Sequence, residues 1–214
     1  MQYAFLVLMC VFAGLYAAIR VRGSFGSKLT VKTIASLSFV LIAFAGRLNA
    51  AQPYYALIMI GLCLSVAGDI LLVFPGPAPL VAGGAAFFIA HIGYIAAFFV
   101  YAPLEWYDAL LFAAFAGIGA AVFAGKKNEV TRKPRVVIYA IALCAMAAKA
   151  VSMLFVRAIE PMYGAFAALG GVLFAFSDLT LAYSHFYPDQ KPAVILSTLS
   201  YYGAQALLAL SIAL

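Results

Sequence analysis

The stretch GLCLSVAGDILLVF, residues 61–74, decides how this chain is interpreted, because it places the acidic Asp69 inside a run that is otherwise apolar. A second stretch, GGVLFAFSDLTLAY, residues 170–183, repeats the arrangement around Asp178, which follows Asp69 by 109 residues. In each stretch a glycine lies eight residues before the aspartate. An ionisable group in hydrocarbon costs on the order of 3 kcal/mol or more, so it faces a bundle interior or a wet cavity and marks a functional site.

The composition excludes a soluble domain. Of the 214 residues, 67% are hydrophobic and only 9% are charged, where a soluble domain carries about 25% charge. Mean hydropathy is +1.10. We predict one all-α transmembrane domain, residues 1–214, and expect any chemistry to lie in the membrane or at its surface. Segments of about 20 apolar residues predict eight transmembrane helices, at 2–19, 29–46, 54–74, 80–102, 106–124, 136–156, 162–184 and 192–214.

The first predicted span has no basic residue ahead of it, and its apolar run of about 18 residues exceeds a signal-peptide core of 7–15 residues. We expect it to be a retained helix. The odd-numbered connections carry ten basic residues and the even-numbered ones carry two, so the odd connections are predicted to be cytoplasmic and both termini outside. The net charge of +6 is then explained by basic connections that face anionic lipid headgroups, and a nucleic-acid partner is less favoured. The ten are Arg20, Arg22, Lys28, Lys32, Lys126, Lys127, Arg132, Lys133, Arg135 and Lys191, and the two are Arg47 and Arg157.

The offset of 109 residues is close to half the chain. Adding 109 to the residue numbers of the basic first connection gives those of the basic fifth connection. Adding 109 to the numbers of the fourth span gives approximately those of the eighth span. One interpretation is a 4+4 parallel repeat about an axis along the membrane normal, which would place the third and seventh spans in equivalent positions. The other is that evenly spaced loops in any eight-helix protein give such an offset.

A rise of 1.5 Å per residue puts Asp69 about 22 Å and Asp178 about 24 Å into a hydrocarbon core of about 30 Å. Both carboxylates are therefore predicted in the cytoplasmic third of the membrane. Lys32, near the start of the second span, lies at a similar level, within about 5 Å of the boundary. It is a candidate counter-charge for the carboxylates.

Polar residues of four spans fit a lined cavity. Ser65 lies one turn before Asp69, and Gly61 one turn before Ser65, so they share a helix face. In the fourth span His91 and Tyr94 share a face with Phe87, and in the eighth Tyr201 and Gln205 lie one turn apart. Each of these polar residues alone is explained as well by interhelical hydrogen bonding. Together they predict that the third, fourth, seventh and eighth spans converge. Lys149, in the sixth span, is expected to snorkel or to pair locally.

Several segments resemble the YhhN family, whose animal members are lysoplasmalogenases. One departure is Lys32-Thr33, where many members have Lys-Pro. The resemblance covers nearly the whole chain and implies an integral-membrane hydrolase, in a bacterial inner membrane, that cleaves the vinyl ether of lysoplasmalogens to a fatty aldehyde and glycerophosphoethanolamine or glycerophosphocholine. The segments are GLCLSVAGD (61–69), GAAFFIAHIGY (84–94), YAIALCAM with Tyr139 and Met146, GVLFAFSD (171–178) and YYGAQALL (201–208).

Vinyl ether hydrolysis needs an acid that protonates carbon and a base. Two carboxylates in low dielectric tend to share one proton, which supplies both groups. Asp69 and Asp178 are therefore the predicted catalytic residues. No cofactor or metal is predicted, since His91 and His185 have no zinc-type spacing. A Ser-His-Asp mechanism is less favoured because the sequence has no GxSxG. The candidate substrate-binding residues are Lys32, Ser65, His91, Tyr94, Ser177, Tyr201, Tyr202 and Gln205.

The predicted partners are a lysophospholipid substrate with a vinyl ether chain and the surrounding membrane lipid, and no nucleic acid. The pocket is expected to open sideways to the inner leaflet, with the alkenyl chain toward His91 and the headgroup toward Lys32. Lys32 would then either bind the phosphate, which affects KM, or pair with an aspartate, which affects kcat and the pH–rate profile. Two other functions stay open: a small proton-coupled transporter that uses the aspartates as relays, and a lipid-binding or structural protein without activity.

Overall fold

The computed structural model describes residues 1–20, 23–49, 52–187 and 191–212, without the side chains of Asn49 and Lys191. These residues form helices joined by short turns, with no strand in the described ranges. Arg22 and the last two residues of the eighth predicted span lie outside them. The helices are α1 (Gln2–Ile19), α2 (Phe25–Gly46), α3 (Tyr54–Leu71), α4 (Pro77–Phe99), α5 (Trp106–Val122), α6 (Lys127–Thr131), α7 (Pro134–Ser152), α8 (Pro161–Phe186) and α9 (Lys191–Leu210).

The all-α membrane-type fold is confirmed. Seven helices in the described part of the chain are long and apolar enough to cross a membrane. The fifth predicted span, 106–124, corresponds to α5, which has 17 residues and ends at Val122; at its end the chain bends by 67° into the segment Ala124–Thr131. Counting this bent pair as one span gives eight, so the number of crossings stays a prediction. The sixth, seventh and eighth predicted spans correspond to α7, α8 and α9.

Local sequence sets where the helices begin. Three helices have a proline in their first turn: Pro77, Pro134 and Pro161. The backbone N–H groups of a first turn make no intrahelical hydrogen bond, so a proline there costs none. The Ser24 side chain accepts a hydrogen bond from the Ser27 amide and caps α2. These signals shift the observed boundaries by up to four residues from those predicted by hydropathy alone.

The helices pack as neighbouring hairpins around a central bundle of α2, α3, α4, α7, α8 and α9. Three pairs make extensive contact: α1 with α2, α3 with α4, and α8 with α9. In the first half α2 packs on α3 and reaches across to α9, and in the second half α7 packs on α8 and reaches across to α4. A parallel repeat predicts such equivalent contacts in the two halves, and the repeat itself stays a prediction.

Two helices flank the central bundle. Only Met9, Ala13 and Tyr16 of α1 are buried, and Asp108 is the sole buried residue of α5. Small residues let the central helices approach closely: a methyl group at Gly61 would overlap the Tyr94 ring of α4. The site described next lies inside this closely packed bundle.

Candidate active site

Asp69 of α3 is buried, with 2% of its surface exposed, and three side chains hold its carboxylate. The Lys32 Nζ of α2 lies 3.0 Å from Oδ1, while the Ser36 and Tyr201 hydroxyls each donate a hydrogen bond of 2.6 Å to Oδ2. A buried anion is tolerated only with a counter-charge and hydrogen-bond donors, and Asp69 has both. Lys32 is thus the counter-charge of Asp69, the second of the two roles predicted for it.

A chain of hydrogen bonds leads away from Asp69 through three helices. Beyond Tyr201, the Gln205 Nε2 donates to the Tyr201 hydroxyl at 3.1 Å, and the Tyr94 hydroxyl donates to Gln205 Oε1 at 3.0 Å. The Ser65 hydroxyl lies 3.3 Å from that of Tyr94. Four predicted lining residues and Asp69 therefore form one connected network.

Tyr202 lies on the other side of Asp69, next to α1 and α2. Its hydroxyl is 3.3 Å from Ser36 Oγ, and it also donates a 3.5 Å hydrogen bond to the Lys32 carbonyl. The Lys32 ammonium in turn lies 5.6 Å from the centre of the Tyr16 ring. Lys32 therefore contacts Tyr16 through its ammonium and Tyr202 through its main-chain carbonyl.

Asp178 of α8 has a different environment. It is half-buried, and the Tyr139 hydroxyl of α7 donates a 2.5 Å hydrogen bond to its Oδ2. Within the described ranges, no Lys or Arg lies at ion-pair distance from it. One aspartate is thus stabilised as an anion, whereas the other has a single neutral donor.

The predicted role of Ser177 does not fit its position. Its hydroxyl donates to the Ser197 carbonyl at 2.9 Å, and only 2% of its surface is exposed. Consecutive helical residues point about 100° apart, so the side chain next to Asp178 turns into the α8–α9 interface. Ser177 therefore links α8 to α9 and is not part of the hydrogen-bonded networks of the carboxylates.

A series of aromatic contacts connects the partner of Asp69 with the partner of Asp178. The Phe174 ring of α8 lies 5.6 Å from that of Tyr201, the Asp69 partner, and 4.9 Å from that of His91. His91 is in turn 5.1 Å from Tyr139, the Asp178 partner. The hydrogen-bond partners of the two carboxylates thus belong to one aromatic cluster. Phe174 of α8 contacts α4 and α9, and Tyr201 of α9 donates a hydrogen bond to Asp69 of α3, so side chains of the four predicted helices meet here.

His91 is fully buried at the centre of this cluster. Neither ring nitrogen has a hydrogen-bond partner among the described residues. An unpaired buried polar atom costs about 1–3 kcal/mol, and groups of this kind are few in native proteins. That His91 contacts a ligand stays a prediction.

Sequence reasoning gave no role to three residues at the site. Ser36 lies one turn after Lys32, and Phe174 one turn before Asp178, so each shares a helix face with a residue that was predicted. Tyr139 appeared only in the family resemblance. The signal that could have identified Ser36 and Phe174 is their spacing of one helical turn from a charged residue.

A second buried ion pair lies away from this site. The Lys149 Nζ of α7 is 2.9 Å from Asp108 Oδ2 of α5 and donates a 2.6 Å hydrogen bond to the Pro103 carbonyl. Ser152 also donates to Asp108. The pairing alternative for Lys149 is therefore correct, and the pair attaches α5 to the central bundle.

A family model described as the YhhN family matches residues 27–212. The chain belongs to the YhhN family. The match contains every residue of the hydrogen-bonded networks around Asp69 and Asp178, whereas α1 precedes it. No significant match exists among solved structures.

Proposed function

We propose that this YhhN protein hydrolyses the vinyl ether bond of lysoplasmalogens in the membrane, with Asp178 as the general acid and Asp69 as the base. The observation that carries the proposal is the contrast between two carboxylates whose partners belong to one aromatic cluster. Asp69 has a lysine and two hydroxyl donors, which favour its anion, and Asp178 has one neutral donor. A proton donor and a proton acceptor are the pair that this reaction requires.

The first step is proton transfer from Asp178 to the β carbon of the vinyl ether. The C=C electron pair forms the new C–H bond, and the positive charge is shared between the α carbon and the ether oxygen. The Asp69 carboxylate stabilises this oxocarbenium ion, because a fixed anion in a low-dielectric site interacts strongly with developing positive charge. The positive charge that develops on the substrate is thus compensated by Asp69.

Water then attacks the α carbon, and its proton passes to Asp69 through the Tyr201 hydroxyl. The resulting hemiacetal collapses when its O–H proton returns to Asp178 and the glycerol oxygen takes the proton from Asp69. The products are a fatty aldehyde and a glycerophospho-alcohol, and both aspartates regain their starting states. One water is consumed and no other reactant is needed.

His91 has the position of a group that orients this water. Its imidazole lies in the aromatic cluster, with two nitrogens that bond no described residue. A neutral imidazole has one donor and one acceptor nitrogen, which suits a water that must also face carbon. The network of Tyr94 and Gln205 holds Tyr201 in its orientation.

The test is aldehyde release from a defined lysoplasmalogen by purified protein in detergent, with an ester-linked lysophospholipid as substrate control. Asp69→Asn and Asp178→Asn should each remove activity and leave the protein folded. Ser177→Ala is the matched control, because it changes the residue beside Asp178 outside the cluster. Near wild-type turnover by either aspartate variant contradicts the role proposed for it.

The competing function is proton-coupled transport, for which the hydrogen-bonded chain from Ser65 to Asp69 would be the relay. Proton flux in vesicles without aldehyde release would favour that function. Aldehyde release without flux favours the hydrolase.

A further inference from the structure

A groove of about 380 Å³ runs along the outside of the bundle between α1 and α9. Its α1 wall includes Met9 and the exposed Cys10, and its α9 wall runs from Leu199 to Leu210. The lining is almost wholly apolar. The polar exception is Tyr202, whose hydroxyl contacts Ser36, the donor to Asp69.

A cation lies beyond the Leu199 end of the groove and is not itself part of its lining. Arg20, directly after α1, donates hydrogen bonds to Thr198 Oγ1 at 2.6 Å and to the Val194 carbonyl of α9 at 3.3 Å. Among the described residues no carboxylate lies within ion-pair distance of its guanidinium. An arginine held against two neutral acceptors keeps its positive charge available for a phosphate.

The separation of Thr198 and Tyr202 along α9 is close to the spacing within a lysophospholipid. Thr198, which holds Arg20, precedes Tyr202 by four residues, or about 6 Å along the helix. That is roughly the separation between the phosphate and the ether bond across a glycerol backbone. From Tyr202 to Leu210 the groove continues for about 12 Å, which accommodates much of an apolar chain.

We propose that this groove is the lateral entrance for the lysophospholipid substrate, with the phosphate at Arg20, the chain along α1 and α9, and Tyr202 as the side chain between the groove and Asp69. The inference rests on the proposed function for the identity of its occupant. It assigns the phosphate contact to Arg20, because the ammonium of Lys32 is already bonded to Asp69.

A larger groove of about 520 Å³ between α4, α5 and α7 is the weaker candidate. Its charged lining residues are Glu105, Asp108 and Lys149, and Lys149 is bonded to Asp108. It therefore offers no free cation to a phosphate.

The experiment measures binding of a radiolabelled alkyl-ether lysophosphocholine, which has no vinyl bond and is not hydrolysed. Cys10→Trp places a large side chain in the groove, and loss of contact with about two methylenes should weaken binding about tenfold. Cys63→Trp is the matched control, because Cys63 is also an exposed cysteine on a membrane helix but lies on α3. It should leave the affinity unchanged.

Arg20→Gln should weaken binding of the same probe about fivefold, as expected for one interfacial cation. It should leave binding of the phosphate-free alkylglycerol unchanged. Arg47→Gln is its control, since Arg47 is an exposed arginine at the far end of α2.

Equal affinities for Cys10→Trp and Cys63→Trp, or for Arg20→Gln and Arg47→Gln, would overturn the assignment. Because the probe is not a substrate, the two proposals fail separately. Groove-dependent binding without aldehyde release would reject the hydrolase and keep the lipid site. Aldehyde release with groove-independent binding would reject the entrance and keep the hydrolase.

Discussion

Replacing Lys32 with methionine tests the ion pair at the centre of the site. Methionine keeps the length of the side chain and removes the cation that lies 3.0 Å from Asp69 Oδ1. Both partners are buried, with 8% and 2% of their surfaces exposed. Ser36 and Tyr201 still donate to the carboxylate, but neither carries a charge. The variant must therefore bury an uncompensated anion or bind a proton at Asp69.

The expected loss of stability follows from this geometry. Breaking a buried ion pair by removing one partner costs about 3–5 kcal/mol. In a chain of this size each kcal/mol lowers Tm by about 2–4 °C, so Lys32→Met should lower Tm in detergent by about 10 °C. Because a protonated Asp69 no longer acts as the base, kcat should fall by about 100-fold or more, with a smaller change in KM.

The double variant Lys32→Met with Asp69→Asn removes both charges. It should regain much of the lost Tm and stay inactive. Thermal unfolding and steady-state aldehyde release, measured on the same preparations, separate the two effects. A several-fold rise in KM with unchanged kcat would refute the reasoning and assign Lys32 to the phosphate. Unchanged Tm, KM and kcat would exclude the ion pair altogether.

Three other substitutions have defined outcomes. Tyr139→Phe removes the only described hydrogen bond to Asp178 and should lower kcat about 10- to 100-fold with KM little changed, which steady-state kinetics measure. Lys149→Met leaves Asp108 unpaired, so Tm should fall by about 10 °C while kcat per folded protein is retained; a lost kcat would place this pair in the site. Gly61→Val forces a side chain into the neighbouring α4 tyrosine and should destabilise the protein by about 1–3 kcal/mol, and a variant as stable as wild type would contradict the close approach of α3 and α4.

Hydropathy predicted most of the fold because a helix that must cross a bilayer shows its length directly in the sequence. The fifth predicted span matches α5 to within two residues, but its Asp108 pairs with Lys149 of α7, a contact that hydropathy does not show. Composition records how apolar a segment is, whereas such a pair depends on how helices distant in sequence are placed against each other.

The site was predictable where charge and helical spacing agree. Asp69 and Asp178 stand out because charge in hydrocarbon is costly, and Lys32 followed from its depth in the membrane. The partner of each aspartate was not predictable, because it depends on how helices distant in sequence are rotated against each other. Tyr139, for example, is 39 residues from Asp178, and nothing local marks its hydroxyl as the donor.

The central claim is that the reaction begins with protonation of carbon between the two carboxylates. The most direct measurement is hydrolysis of lysoplasmalogen in D₂O, with immediate reduction of the aldehyde to an alcohol and mass spectrometry of that product. Protonation of the vinyl ether β carbon predicts one solvent deuterium on the carbon next to the former carbonyl. An aldehyde released without that deuterium, or no aldehyde from wild-type protein, would contradict the account.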